Sequence, residues 1–203
     1  MFTRYEPKSL NVYASMRGMP AIKLNLGCGS RPLDGWINID KYPYEKNDSS
    51  RGGCRADIMM DITDLQVNDG TVAEMLAVHV VEHFTRPHML RILRHWHAKL
   101  APGGKLTVEM PDLDKCIDMY RNGGPVILTP LGPMNMGLTQ FFGNQWDDLD
   151  YETHRYVWRI DEWCDVLVGM GFAIEERHHN AKFHLKGRDM WIVARKRGQD
   201  EQS

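Results

Sequence analysis

Short apolar runs that each end at a glycine, an acid or a histidine recur along this chain, and they constrain its fold more than any other feature. Ala21 to Leu26 stops at Gly27, Trp36 to Asp40 ends in an acid, and Asp57 to Ile62 is a weaker third run containing Asp61. Met75 to Val81 passes through His79, and Lys105 to Met110 leads into Pro111-Asp112. Runs of this length bounded by turn residues predict buried strands. After the fourth run, Met89, Ile92, Leu93, Trp96 and Leu100 fall on one helical face, with Thr85 as cap and Pro87 in the first turn. Ala101 to Gly104 predicts the stop of that helix. A second helix is predicted over Asp161 to Met170, with closing strands at Phe172 to Arg177 and Met190 to Ala194. Strands alternating with helices predict an α/β fold around a mostly parallel, seven-stranded sheet. Such sheets bind ligands beyond the carboxyl ends of their strands. Gly27, Asp40, Asp61, His79 and Asp112 all sit at such ends.

Gly27-Cys28-Gly29 lets the backbone turn sharply and approach a ligand without a Cβ in the way. Asp40, closing the next strand, can accept two hydrogen bonds from a ribose diol. A dinucleotide fingerprint needs a third glycine and an acid about 20 residues on. Pro32 stands where that glycine belongs, and Asp40 arrives eleven residues after Gly29, so a nucleoside without a pyrophosphate fits better than NAD. Only six residues, Ser30 to Gly35, lead to the second strand, whereas a crossover usually takes a dozen or more. The first helix is therefore predicted to shrink to a turn.

Five ordered motifs resemble the class I, Rossmann-like S-adenosylmethionine-dependent methyltransferases, in a branch often linked to polysaccharide and other glycan pathways. They are Leu24 to Gly29, Gly35 to Asp40, Asp61-Ile62-Thr63, His79 to Phe84 and Leu100 to Leu106. The resemblance implies S-adenosylmethionine as cofactor, with Gly27, Cys28 and Gly29 holding its methionine part. It implies Asp40 on the ribose, Asp61 and the Ile62 backbone on the adenine edge, and His79 beside the sulfonium. A shortened first helix would leave the methionine carboxylate without a helix dipole, and Arg31 is the candidate cation in its place.

Methyl transfer to a hydroxyl needs placement and a general base. His154, among Asp147, Asp148, Asp150, Tyr151 and Glu152, is the first candidate base, and Asp112 the second, with N-capping as its structural role. Glu82, His83 and Tyr151 are candidate substrate contacts. His79-x-x-Glu82-His83 spells an inverted zinc-protease motif, but zinc would need it on a helix with a third ligand further on. The segment reads as strand and loop, so no metal is expected. His178, His179 and His184 read as surface residues. Trp146, Tyr151, Tyr156 and Trp158, with Phe141 and Phe142, make the segment 122–157 an aromatic, irregular insertion on the substrate side. Glu109, alternating with apolar residues in a central strand, needs a partner that the sequence does not name.

A net charge of −2 offers no basic field for a phosphate backbone, so general nucleic-acid binding is not expected. No Pro-Cys nucleophile and no Pro-Pro-aromatic motif points to base methylation. Cys28, Cys54, Cys116 and Cys164 are scattered, which favours reduced thiols in the cytoplasm. The first twenty residues read as an arm or short helix without a signal-peptide core, and nothing reads as a membrane span. All 203 residues read as one methyltransferase domain acting on a small molecule or glycan. The competing readings are a non-catalytic cofactor-binding module and an NAD-dependent dehydrogenase or epimerase.

Overall fold

In the computed structural model, which describes residues 9–41, 54–129, 132–143, 152–184 and 187–198, the apolar runs become strands close to where the sequence puts them. In chain order these are β1 (Ile22–Leu26), β2 (Ile37–Asp40), the two-residue β3 (Ile58–Met59), β4 (Val72–Val78) and β5 (Leu100–Pro111). A hairpin follows, β6 (Val126–Thr129) and β7 (Gly132–Asn135), and then β8 (Phe172–His178) and β9 (Asp189–Lys196). Seven of them form one sheet in the order β3-β2-β1-β4-β5-β9-β8. β1 is parallel to both β2 and β4, and β2 to β3. The order turns back at β1, which is where open α/β sheets place ligands.

Among the described residues, five helices accompany the sheet: α1 (Leu10–Met16), α2 (Arg86–Lys99), α3 (Leu113–Arg121), α4 (Met136–Phe142) and α5 (Ile160–Gly169). The face predicted for α2 is buried throughout, Met89, Leu93 and Trp96 completely and Ile92 at 2% exposure. α5 buries Ile160, Trp163, Cys164 and Leu167, starts with Asp161 and Glu162 where the helix dipole favours acids, and is followed by Gly171 at φ 91°. No helix among the described residues is long and apolar enough to cross a membrane.

The chain divides into two compact units. One comprises Met1–Ala77, Ile92–Thr107 and Arg195–Ser203. Its core holds Leu24, Leu26, Ile37, Ile39, Val72, Met75 and Trp96, each contributing about 1.5–3 kcal/mol by leaving water. The other comprises Val78–Arg91 and Val108–Ala194, around Met110, Cys116, Trp158, Trp163, Phe172 and Ile192.

Several boundaries differ from expectation. β4 begins at Val72 and ends at Val78, so Val80 and Val81 leave the strand, and Val81–His83 forms a 3-10 turn. α2 ends at Lys99, and Ala101 to Gly104, expected as its stop, is already part of β5. A Cβ on Gly104 would stand 2.9 Å from the Val72 carbonyl oxygen, so close backbone approach explains that glycine. The segment 122–157, expected to be irregular, contains the β6–β7 hairpin and α4 among its described residues. α4 can form because Gly137 lets it sit against α3, where a Cβ would come 2.5 Å from the Tyr120 nitrogen.

Candidate functional site

In the first unit, β1 hands the chain to Gly27 (φ 66°) and Gly29 (φ 51°), a left-handed conformation that residues with a Cβ avoid. A Cβ on Gly29 would meet nothing within 4 Å, so the loop borders open space there. The N–H of Gly29 donates to Oδ2 of Asp40 at 3.0 Å, which joins the loop to the tip of β2. Arg55 N–H donates to the Gly29 carbonyl at 2.8 Å and Cys28 N–H to the Ile39 carbonyl at 3.0 Å. Burial, with Cys54, Asp40 and Asp57 nearby, pushes the Cys28 thiol far up, so it stays protonated. None of the four cysteines is in a disulfide, and all four are buried.

As expected, no helix follows the loop; residues 30–36 are turns and irregular backbone. A buried polar network takes the helix's place. Asn38 Oδ1 accepts from Asn25 Nδ2 at 2.9 Å and from Leu33 N–H at 2.7 Å, while Asn38 Nδ2 donates to Asp57 Oδ2 at 2.8 Å. Asn25 Nδ2 also donates to the Arg31 carbonyl at 3.1 Å. Asn38→Ala leaves these buried groups short of partners and is expected to cost on the order of 3 kcal/mol in urea unfolding. A midpoint unchanged from the parent would remove the network from the account. Arg31 has its backbone fixed in this way and its side chain exposed. Asp61 is exposed and accepts the Thr63 N–H at 2.9 Å, and the Ile62 carbonyl is taken by Trp96 Nε1 at 2.8 Å.

In the second unit, His79 has φ 53° and is the sole non-glycine residue among those described with positive φ. Such strain costs of order 1–3 kcal/mol and persists only where the surroundings fix it. His79 N–H donates to the Glu109 carbonyl at 2.9 Å, Nδ1 lies 2.8 Å from Glu82 Oε1, and Nε2 lies 3.0 Å from Asp189 Oδ2. Burial opposes a charge on this ring, but Glu82 and Asp189 outweigh it and push His79 up to about 9. Against its own burial, Glu82 is held down to about 2, chiefly by His79. Asp189, also against burial, is held well below the usual carboxylate range by His184, His79 and Arg188. Arg188 donates to both Asp189 oxygens, and its Nη2 lies 2.9 Å from His79 Nε2 and from His184 Nδ1.

Beyond His79 the 3-10 turn carries Glu82 and His83. His83 Nδ1 lies 3.2 Å from the Thr153 carbonyl and His154 Nδ1 lies 2.7 Å from the Gln140 carbonyl. A carbonyl only accepts, so in each ring Nδ1 carries the proton and the neutral form keeps its lone pair on Nε2. Burial depresses the pKa of His83 and favours that neutral form. The rings meet edge to face, with centroids 4.9 Å apart. Arg155 N–H donates to the Glu82 carbonyl at 2.7 Å, tying the segment after residue 152 to the turn. Glu82 Oε2 is buried with no hydrogen-bond partner.

Of the sequence-predicted residues, His79, Glu82, His83 and His154 come together here. Asp112 does not join them through its carboxylate. It is fully buried, caps α3 by accepting the Asp114 N–H at 3.2 Å, and has His179 Nδ1 2.7 Å from its other oxygen. Tyr151, with Trp146, Asp147, Asp148 and Asp150, lies outside the described residues. Sequence reasoning missed Arg188 and Asp189; His184 is exposed, as that reading placed it, yet its ring centroid lies 4.4 Å from that of His79. The available signal was a charged pair directly before an apolar run, an acid and a base carried to the edge of a buried strand. Glu109 finds its partners in the backbone N–H groups of Lys182 and Phe183, at 2.6 and 2.7 Å from Oε2.

A family model described as a methyltransferase domain matches residues 18–177. Among solved structures, an S-adenosylmethionine-dependent methyltransferase from Methanosarcina mazei superposes with a TM-score of 0.58 at 15% identity, over 91% of this chain and 98% of that one. The 1,6-didemethyltoxoflavin-N1-methyltransferase of Burkholderia thailandensis, solved with 1,6-didemethyltoxoflavin and S-adenosylhomocysteine, gives 0.55 at 14% identity over 93% and 76%. An S-adenosylmethionine-dependent methyltransferase from Mesorhizobium loti gives 0.54 at 16% over 91% and 97%. At such identities the likeness establishes the fold. No curated protein matches the sequence significantly.

Proposed function

The chain belongs to the methyltransferase-domain family, and on that premise we propose that it transfers a methyl group from S-adenosylmethionine to a hydroxyl of a small molecule or glycan, in a glycan-linked branch of that family. The cofactor supplies an electrophilic methyl group on a sulfonium. The first unit fits it. Gly29 is left-handed with open space beside it, Asp40 closes β2 within 3.0 Å of the Gly29 nitrogen, and the Ile62 N–H is bonded to no described residue. An adenine edge needs one such donor and one acceptor, the latter from Asp61. The dinucleotide reading lacks support, because no helix N-terminus follows the loop to seat a pyrophosphate. Four buried cysteines outside any disulfide support a cytoplasmic enzyme.

Arg31 is assigned to the methionine carboxylate. Arg31→Ala is expected to weaken S-adenosylhomocysteine binding about tenfold by calorimetry, the scale of one charge-assisted hydrogen bond. Unchanged affinity would return the carboxylate to the loop amides alone.

One observation carries the hydroxyl assignment: two histidines whose Nδ1 protons are held by carbonyls and whose Nε2 lone pairs are left for chemistry. His154 takes the acceptor's proton at Nε2, and its Nδ1–H to the Gln140 carbonyl keeps the ring oriented while the charge forms. Glu82 and His83 orient the acceptor. Asp112 has a structural role instead, since capping and His179 engage both oxygens. A panel of sugars and sugar nucleotides, followed by S-adenosylhomocysteine release, tests this. His154→Ala is expected to lower kcat by about 10²–10⁴ while cofactor affinity stays within twofold. Turnover with amines but with no hydroxyl acceptor would reject the assignment.

A further inference from the structure

We propose that Glu82, His83 and His154 bind a divalent first-row metal cation. One ligand atom from each lies within 4.8 Å of the other two. Two neutral imidazoles and a carboxylate are a set that holds such cations while leaving positions open to other ligands. The surrounding bonds are those a metal site requires. Each histidine uses Nδ1–H on a backbone carbonyl, Thr153 or Gln140, which fixes the tautomer and leaves the Nε2 lone pair as the ligand. Glu82 is fully buried; Oε1 is held by His79, itself held by Asp189, and Oε2 has no partner at all. An unpartnered carboxylate oxygen in the interior carries a desolvation cost that a cation removes. Of the run His79-x-x-Glu82-His83, Glu82 and His83 enter this set, and His154, 71 residues after His83, supplies the third donor.

Two other groups have metal-like donors and are set aside on chemistry. In His79, His184 and Asp189 the guanidinium of Arg188 already contacts all three side chains. In Cys28, Asp40 and Cys54 the Cys28 thiol is held protonated by burial.

Cation binding itself does not depend on methyl transfer, but it replaces the role proposed above for His154 as the base. With the cation bound, the His154 lone pair is occupied. The cation then lowers the pKa of an acceptor hydroxyl coordinated to it, and one proton passes to solvent water.

The test uses the full chain, stripped with a chelator and titrated with Mn²⁺ while free Mn²⁺ is followed by electron paramagnetic resonance, then with Co²⁺ by calorimetry. One equivalent should bind, Co²⁺ more tightly than Mn²⁺. Glu82→Gln and His154→Ala should each weaken binding at least about tenfold, and His184→Ala should leave it unchanged. Should Glu82→Gln fail to fold, His83→Ala and His154→Ala give the same reading. No binding by the parent, equal affinity in the ligand variants, or a loss confined to His184→Ala would each overturn the proposal. None of these outcomes involves cofactor or acceptor, so methyl transfer itself stands or falls separately, and cation binding removes only the assignment of His154 as base.

Discussion

Asp189→Ala is expected to destabilise the protein by about 3–5 kcal/mol, read as a lower urea midpoint, because it strips the counter-charge from buried neighbours. Asp189 has no exposed surface, and both of its oxygens receive Arg188 while Oδ2 also faces His79 and His184. Removing one member of such a set leaves charge in the interior without compensation. The same substitution changes the pH dependence of folding, and the sign follows from linkage. His79 is raised from 6.5 to about 9, so its contribution is complete below pH 6.5 and is lost as pH climbs toward 9. Asp189 is depressed from 3.8, so its contribution is complete above that value and is lost as the pH falls further. The parent should therefore lose stability on both flanks of a plateau between about pH 4 and 6.5. In Asp189→Ala the acid flank loses the Asp189 contribution, and the alkaline flank flattens as His79 relaxes toward its ordinary value, with only Glu82 supporting it. An unchanged midpoint with both flanks intact would mean the cluster is neutral to folding.

The pattern of what could be read in advance has a physical basis. Gly27, Asp40 and His79 were legible because a parallel sheet ends its strands at the ligand side and the apolar period marks each end. The missing first helix was legible because six residues cannot form a crossover. What takes its place was not. Asn25 and Asn38 look like ordinary polar positions in half-buried strands until their side chains are seen bridging Leu33, Arg31 and Asp57. Asp189 and Arg188 reach His79 across about 110 residues of chain, and no local period encodes such a meeting. α3 was legible only as the cap at Asp112. The β6–β7 hairpin and α4 were hidden because Gly123, Gly124, Pro125, Pro130 and Pro133 break every period in a segment where α4 packs on α3 and on β7.

Gly143→Ala is expected to lower turnover by on the order of 10²-fold or more, while S-adenosylhomocysteine affinity stays within twofold. Gly143 has φ 83°, and a Cβ there would stand 1.6 Å from the Glu152 carbonyl oxygen and 3.1 Å from the His154 nitrogen. Both obstacles are backbone, so no side-chain rotation relieves them; the strand of chain from Glu152 to His154 has to move. That motion displaces the His154 ring from the Gln140 carbonyl and from His83, whichever of proton abstraction or cation binding the ring serves. Gly29→Ala makes the opposite case. Its φ of 51° makes any Cβ costly by about 1–2 kcal/mol, yet nothing lies within 4 Å to collide with. Its damage should fall on cofactor affinity in the first unit, with the His83–His154 geometry intact. Measured side by side, the two glycine variants separate a kcat defect from a binding defect. If Gly143→Ala instead lost cofactor affinity and kept its turnover at saturation, the placement of His154 would have no bearing on the chemistry.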